Sequence, residues 1–307
     1  MSQALGVRME TNIQRVKTDI IQLGQFNATP ENGFTRFSFS SEDKKARDYL
    51  IKSFNELVLQ VVVDAVGNIR ARLPSIEPSA PVVMPGSHID TVLHGGMFDG
   101  TVGVVGALEV VRVLVENRIK TKHPIEVVIF SEEEGSNFGS TLAGSKSMTG
   151  KYEVEDLKKI KTDSGLSRYA MAKNMHYDVD RLPEFVIRPG GVKAMLELRV
   201  EQGAVLDTES FSIGIVEAIA GMKTFLIEII GLSKHAGATP MHLRRDPMQA
   251  AAKTICEIDR TVKDKANATT VATVGKIAGL RLVIKINCNV GQLINNSTQR
   301  GQYVGSY

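Results

Sequence analysis

Ile125-Glu-Val-Val-Ile-Phe130 runs without a break into Ser131-Glu-Glu-Glu-Gly135. A short, mostly apolar run rich in β-branched residues reads as a buried strand, and the polar segment is its carboxyl-end continuation. Upstream, Pro81-Val-Val-Met84, the glycine-rich stretch Gly86 to Gly106 and an apolar helical stretch to about Asn117 complete a strand, helix, strand unit. Strands joined in this way lie parallel, and such sheets bind ligands at the carboxyl ends of their strands. Gly86-Ser-His-Ile-Asp-Thr91 and Ser131 to Gly135 are therefore expected in one crevice. The alternating Met195-Leu-Glu-Leu-Arg-Val-Glu-Gln-Gly203 is expected to bring a third strand end to the same place.

Before this unit, Met9, Ile13, Val16, Ile20 and Leu23 recur at helical spacing. A second helix is expected from Ser40, with Asp43 as its capping-box acid, and Val58 to Leu73 reads as a hairpin around Gly67-Asn68. After Gly214 the pattern becomes strand (Lys223 to Ile230), loop, helix (Asp246 to about Lys263) and strand (Thr269 to Ile277), the first half of a small α+β domain. Ile284 to Tyr307, rich in Asn, Gln and Gly, offers no caps or clear strand partner.

The 307 residues carry 37 Lys and Arg against 34 Asp and Glu, with 43% hydrophobic residues, which fits a globular chain of about two domains and excludes disorder or coiled coil. No like-charge block exceeds three residues, so no basic stripe points to nucleic acid or an anionic membrane. No apolar run approaches a bilayer span, the N-terminus lacks a signal-peptide core, and two cysteines fit a reducing compartment. A cytoplasmic location is expected.

His88 and Asp90 lie two positions apart at a strand end, so their side chains share a direction and the carboxylate can orient the imidazole. Such a pair is commonly just a hydrogen-bonded loop element. Asp99, between glycines before a helix, is equally read as a cap. Glu132-Glu133-Glu134 is the discriminating feature, because adjacent acids at the mouth of a buried crevice need a cation or raised pKa values. Their expected convergence with His88 and Asp99 points to a divalent metal site; mixed imidazole and carboxylate donors suit Zn or Mn. His235, in Ser233-Lys-His-Ala-Gly-Ala-Thr-Pro-Met241, falls in the second domain and taken alone reads as an ordinary loop histidine.

Five segments occur in the order and spacing of one family: Gly86 to Thr91, Gly95-Gly-Met-Phe-Asp-Gly100, Glu133-Glu-Gly-Ser136, Glu201-Gln-Gly203 and His235 to Met241. The chain resembles the amidase, hydantoinase and carbamoylase branch of the M20 metallopeptidase-like hydrolases, which includes N-carbamoyl-L-amino acid hydrolase, allantoate amidohydrolase and β-ureidopropionase. The resemblance implies an α/β fold: a mostly parallel-sheet, dinuclear-metal hydrolase domain over residues 1–213, then the first half of an inserted, ferredoxin-like α+β lid or dimerisation domain over 214–277. Residues 278–307 are expected to be a tail outside the family pattern, as in a C-terminally truncated chain.

It further implies two divalent ions, Zn or Mn, with His88 on one, Glu134 on the other and Asp99 bridging them. A hydroxide between the metals would attack a linear ureido or amide carbon, with Glu133 as general base. Gln202 would contact this small substrate. His235 would reach from a partner subunit to the oxyanion, so a homodimer is implied. Arg199 stands where the family's pattern has a further metal-binding His, and a guanidinium cannot donate a lone pair. The alternative expectation is therefore an inactive relative or gene fragment.

Overall fold

The computed structural model describes residues 9–267, 269–280 and 283–294. The chain divides into two units, the first reaching Val216 and the second beginning at Glu217.

In the first unit, helix α1 (Ile13–Gly24) starts where Asn12 accepts the N–H groups of Gln14 and Arg15; Met9 precedes it. Helix α2 (Ser41–Glu56) is capped by the Ser40 hydroxyl oxygen, which accepts Asp43 N–H at 3.1 Å. The Asp43 carboxylate reaches past the cap to Phe39 N–H, one residue earlier than a standard capping box. The hairpin strands β1 (Gln60–Val63) and β2 (Ile69–Leu73) precede β3 (Val82–His88), helix α3 (Thr101–Glu116), β4 (Ile125–Phe130) and β5 (Val192–Leu196). They form one sheet in the order β1-β2-β4-β3-β5, parallel across β4-β3-β5 and antiparallel on either side of β2. Four of the five strands therefore run in one direction, and the fold is mixed α/β with a mostly parallel sheet.

β4 explains its own apolar run. Val127 and Ile129 pack with Leu23, Leu50, Phe54 and Leu108 on one face, while Val128 and Phe130 pack with Met84 and Met148 on the other. A strand covered on both faces cannot alternate polar and apolar residues. Its one acid, Glu126, is matched by Arg70 on β2, whose Nε donates at 2.5 Å. α3 closes tightly on β3 because Gly103 has no side chain: a Cβ there would stand 2.7 Å from Ser87 Cβ and 2.6 Å from the Leu198 carbonyl oxygen. Between the helices, buried Asp19 pairs with Arg112 and accepts from Tyr49 Oη, and buried Glu109 pairs with Arg15.

The second unit contains β6 (Ile219–Ile230), helix α4 (Pro247–Lys265), β7 (Thr270–Leu280) and β8 (Val283–Ile294). Asp246 caps α4 with Pro247 at its first position. The strands are antiparallel in the order β6-β8-β7, and Ile227, Ile229, Val274, Ile284 and Ile286 pack with Ala251 and Ile255 of α4.

The expectation that the tail from Ile284 has no strand partner is corrected here as far as Ile294. β8 is the middle strand of this sheet, with Ile286 opposite both Ile227 and Ile277. The signal was the alternation Ile284-Lys-Ile-Asn-Cys-Asn-Val290: Ile284, Ile286 and Cys288 are buried, while Lys285 pairs outward with Glu228. Residues 295–307 of the expected tail, and residues 1–8, lie outside the described residues. Among the described residues no helix is long and apolar enough to cross a membrane.

Candidate metal centre

Parallel pairing sets His88 opposite Phe130, so the segments leaving β3 and β4 emerge side by side. The buried Asp90 carboxylate ties them together. Its two oxygens accept the main-chain N–H groups of Glu133 and Glu134 at 3.1 and 3.0 Å. The base of the acidic loop is held by fully buried Asn68, which accepts Ser131 N–H at 2.9 Å and donates to Asp64 and to the Gly144 carbonyl oxygen. Reading Gly67-Asn68 as a hairpin turn missed this second function.

Of the three adjacent acids, Glu132 turns away from the others. Its φ is 53°, Ser38 Oγ accepts its N–H, and its carboxylate accepts the main-chain and side-chain N–H groups of Asn137. Burial, helped by nearby Asp90, pushes its pKa up to about 7 against the opposing Asn137 hydrogen bonds.

Glu133 and Glu134 face His88. One donor atom from each of these three residues lies within 4.8 Å of the others. His88 Nδ1 is 2.9 Å from the Asp90 carbonyl oxygen, an acceptor only, so Nδ1 carries the proton in neutral imidazole and the Nε2 lone pair faces Glu133 Oε2, 3.7 Å away. Burial opposes charge on His88, but Asp90, Glu133 and Asp99 outweigh it and push its pKa up to about 9. Burial also raises Glu134 to about 7, with Glu133, Asp99 and Asp90 acting in the same sense and His88 against it. Glu133 is raised by burial despite His88 and Arg199. Acids held upward and an imidazole held protonated mark a crevice with more acid than its neighbouring cations balance. One imidazole and two carboxylates fit a divalent cation, since modest side-chain rotation closes such a spread onto bonds of about 2.1 Å.

Asp99 is not in this set of three. Its Oδ2 accepts Gln202 Nε2 at 2.7 Å, and its Oδ1 accepts Gly100 N–H at 3.0 Å. It still lies beside the imidazole, because Gly100, at φ 62°, backs onto His88: a Cβ there would stand 2.6 Å from Nε2. Gln202, expected to touch substrate, thus holds Asp99. Arg199 Nη1 is 3.9 Å from Glu133 Oε1 and 3.4 Å from Glu197 Oε2, and Glu197 in turn accepts the Ser87 hydroxyl at 2.6 Å. Glu197, two residues before Arg199 in the alternating stretch, passed unremarked in the sequence. His235 lies in the second unit, exposed, its Nδ1 accepting the N–H groups of Gly237 and Ala238.

The model of peptidase family M20/M25/M40 matches residues 74–291 and so continues past the expected stop near Ile277 into β8. The chain belongs to this family, which is metal-dependent. It is 42% identical over 264 residues to the N-carbamoyl-L-amino acid amidohydrolase of Geobacillus stearothermophilus, a match covering 86% of this chain and 64% of that protein. It is 32% identical to the allantoate amidohydrolase of Bacillus subtilis, over 82% of this chain and 61% of the relative. The chain therefore spans somewhat less than two thirds of the length of these relatives. The crystal structure of a hydantoinase/carbamoylase family amidase from Burkholderia ambifaria superposes with a TM-score of 0.80 at 30% identity, covering 92% of this chain and 70% of that one.

Proposed function

We propose that the chain is a metal-dependent hydrolase of linear ureido or amide C–N bonds, of the N-carbamoyl-L-amino acid or allantoate type. The observation that carries the reading is the gathering of His88, Glu133 and Glu134 at the ends of two parallel strands, in a chain 42% identical to an N-carbamoyl-L-amino acid amidohydrolase. The donor chemistry favours Zn or Mn.

His88 and Glu134 hold the ion in this reading, and Asp90 fixes both through its contacts with the strand end and the acidic loop. A bound divalent ion supplies Lewis acidity toward the scissile carbonyl and lowers the pKa of water. Glu133, beside it, takes the proton of the attacking water and passes it to the leaving nitrogen, a task that suits a carboxylate whose proton affinity burial has raised. Water adds to the ureido or amide carbon, and the C–N bond breaks as the nitrogen gains that proton. Resemblance alone supports two extensions, a homodimer formed through the second unit and His235 acting on the oxyanion of the partner's substrate, and the sequence features above support a cytoplasmic location.

One observation favours a second reading, an inactive relative: Arg199 sits against Glu133 in the crevice. The assay is ammonia or amine release from N-carbamoyl-L-amino acids and allantoate by the purified chain with Zn or Mn, before and after chelation. Turnover lost on chelation and restored by metal is expected. A metal-loaded chain that turns over none of these substrates is the inactive relative.

A further inference from the structure

We infer that the crevice is built for one divalent ion, with the Arg199 guanidinium supplying its second centre of positive charge. This deepens the metal-centre reading above and rests on it.

Glu133 divides its oxygens between two sides. Glu133 Oε2 faces His88 Nε2 at 3.7 Å, on the side where the ion would sit; Glu133 Oε1 faces Arg199 Nη1 at 3.9 Å. Glu197 Oε2 faces the same guanidinium nitrogen at 3.4 Å, and its other oxygen is taken by Ser87 Oγ. The side of Glu133 turned away from His88 therefore already meets a cation that is part of the chain. Asp99, another acid beside His88, has both oxygens accepting hydrogen bonds, one from Gln202 and one from Gly100 N–H.

A second metal ion would have to draw on Asp99, whose oxygens also accept from Gln202 and Gly100 N–H, and on the side of Glu133 turned to Arg199, where it would sit against a fixed positive charge. Guanidinium stays protonated at any ordinary pH and has no lone pair to offer, so it opposes the ion without helping to bind it. Among the described residues, His88, Glu133 and Glu134 are the one group of three or more such donors. A lysine would supply the charge equally well; a neutral residue would leave Glu133 Oε1 and Glu197 without their counter-charge and remove the repulsion felt by the bound ion.

The test is equilibrium dialysis of the purified full chain against Zn2+ or Mn2+ with elemental analysis, for wild type, Arg199→Gln and Arg199→Lys. One ion per wild-type chain is expected. Arg199→Gln should still bind one, at least tenfold more tightly, while Arg199→Lys stays within about threefold of wild type, since charge and not packing is at issue. Two ions per wild-type chain, or no tightening in Arg199→Gln, overturns the single-ion inference and leaves the hydrolase reading standing. No bound ion in wild type sinks both. The wild-type count decides even if a variant fails to fold.

Discussion

The Asp90 carboxylate accepts the main-chain N–H of Glu134 at 3.0 Å, while its other oxygen takes that of Glu133. One buried acid at the end of β3 thus sets the backbone from which both acids of the neighbouring strand end project. An amide cannot do this, because asparagine would present an NH2 group to one of two N–H donors. Asp90→Asn is expected to weaken Zn or Mn binding by about 10- to 100-fold. Isothermal titration checks this, and affinity within twofold of wild type would mean that the loop holds its shape without Asp90.

Glu133→Gln separates ion binding from proton transfer. Turnover should fall by about 100-fold or more, while the ion, still held by His88 and Glu134, binds within about tenfold of wild type. Parallel activity and dialysis measurements on one preparation decide it. Loss of the ion along with turnover would make Glu133 a ligand rather than the base.

Ion and proton compete for the same donors. In the ion-free chain burial and its neighbours leave Glu134 at about 7, and His88, despite burial, is carried up to about 9 by its acids. Its raised pKa means that the His88 charge stabilises the ion-free fold fully below 6.5 and ceases to do so as pH climbs through about 9. Metal binding must displace these protons. The rise in Tm on adding Zn or Mn should therefore grow between about pH 6 and 9, with proton release measurable by titration in buffers of different ionisation enthalpy. A metal-induced shift independent of pH would count against His88 as a ligand.

Away from the centre, burial opposes the charge on Glu109, but Arg15, Asn12 N–H and Arg112 outweigh it and hold its carboxyl below the ordinary carboxylate value. A depressed acid contributes stability above its unfolded pKa near 4.5 and loses it as pH falls through the folded value. Glu109→Gln should cost roughly 2 kcal/mol at pH 7 and flatten the fall in stability below about pH 5. Urea denaturation at pH 7 and pH 4 measures both, and equal losses at the two values would contradict the assignment.

Ile286, fully buried in the middle of β8, is the test of the second unit's core. Ile286→Ala should lower that unit's stability by about 2–5 kcal/mol. In calorimetry this is expected as a transition moved to lower temperature while the remaining unfolding is unchanged. A variant as stable as wild type would show that β8 is not central to that unit.

Elements whose cause is local could be read directly. Ser40 and Asp246 announce helix starts because capping is a matter of adjacent atoms, and Val127 to Phe130 announce a strand covered on both faces because no polar residue interrupts them. β8 carried an equally local alternation, obscured by the Asn- and Gly-rich residues around it. Family motifs named His88, Glu133 and Glu134, and the structure brings these three together.

Their partners were another matter. Asn68, Ser38 and Glu197 reach the crevice from segments distant in the chain, and their roles exist only as hydrogen bonds to Ser131, Glu132 and Ser87. Which acid of Glu132-Glu133-Glu134 turns away follows from a positive φ and from Asn137, and no feature of three identical neighbours foretells it. Residue types and spacing thus settle which groups are available and which strands carry them. Pairing of β3 with β4, and the folding of the β5 extension beside them, decide which oxygen meets imidazole and which meets guanidinium, because charge interactions depend on distances of a few ångströms that arise only when remote parts of the chain pack together.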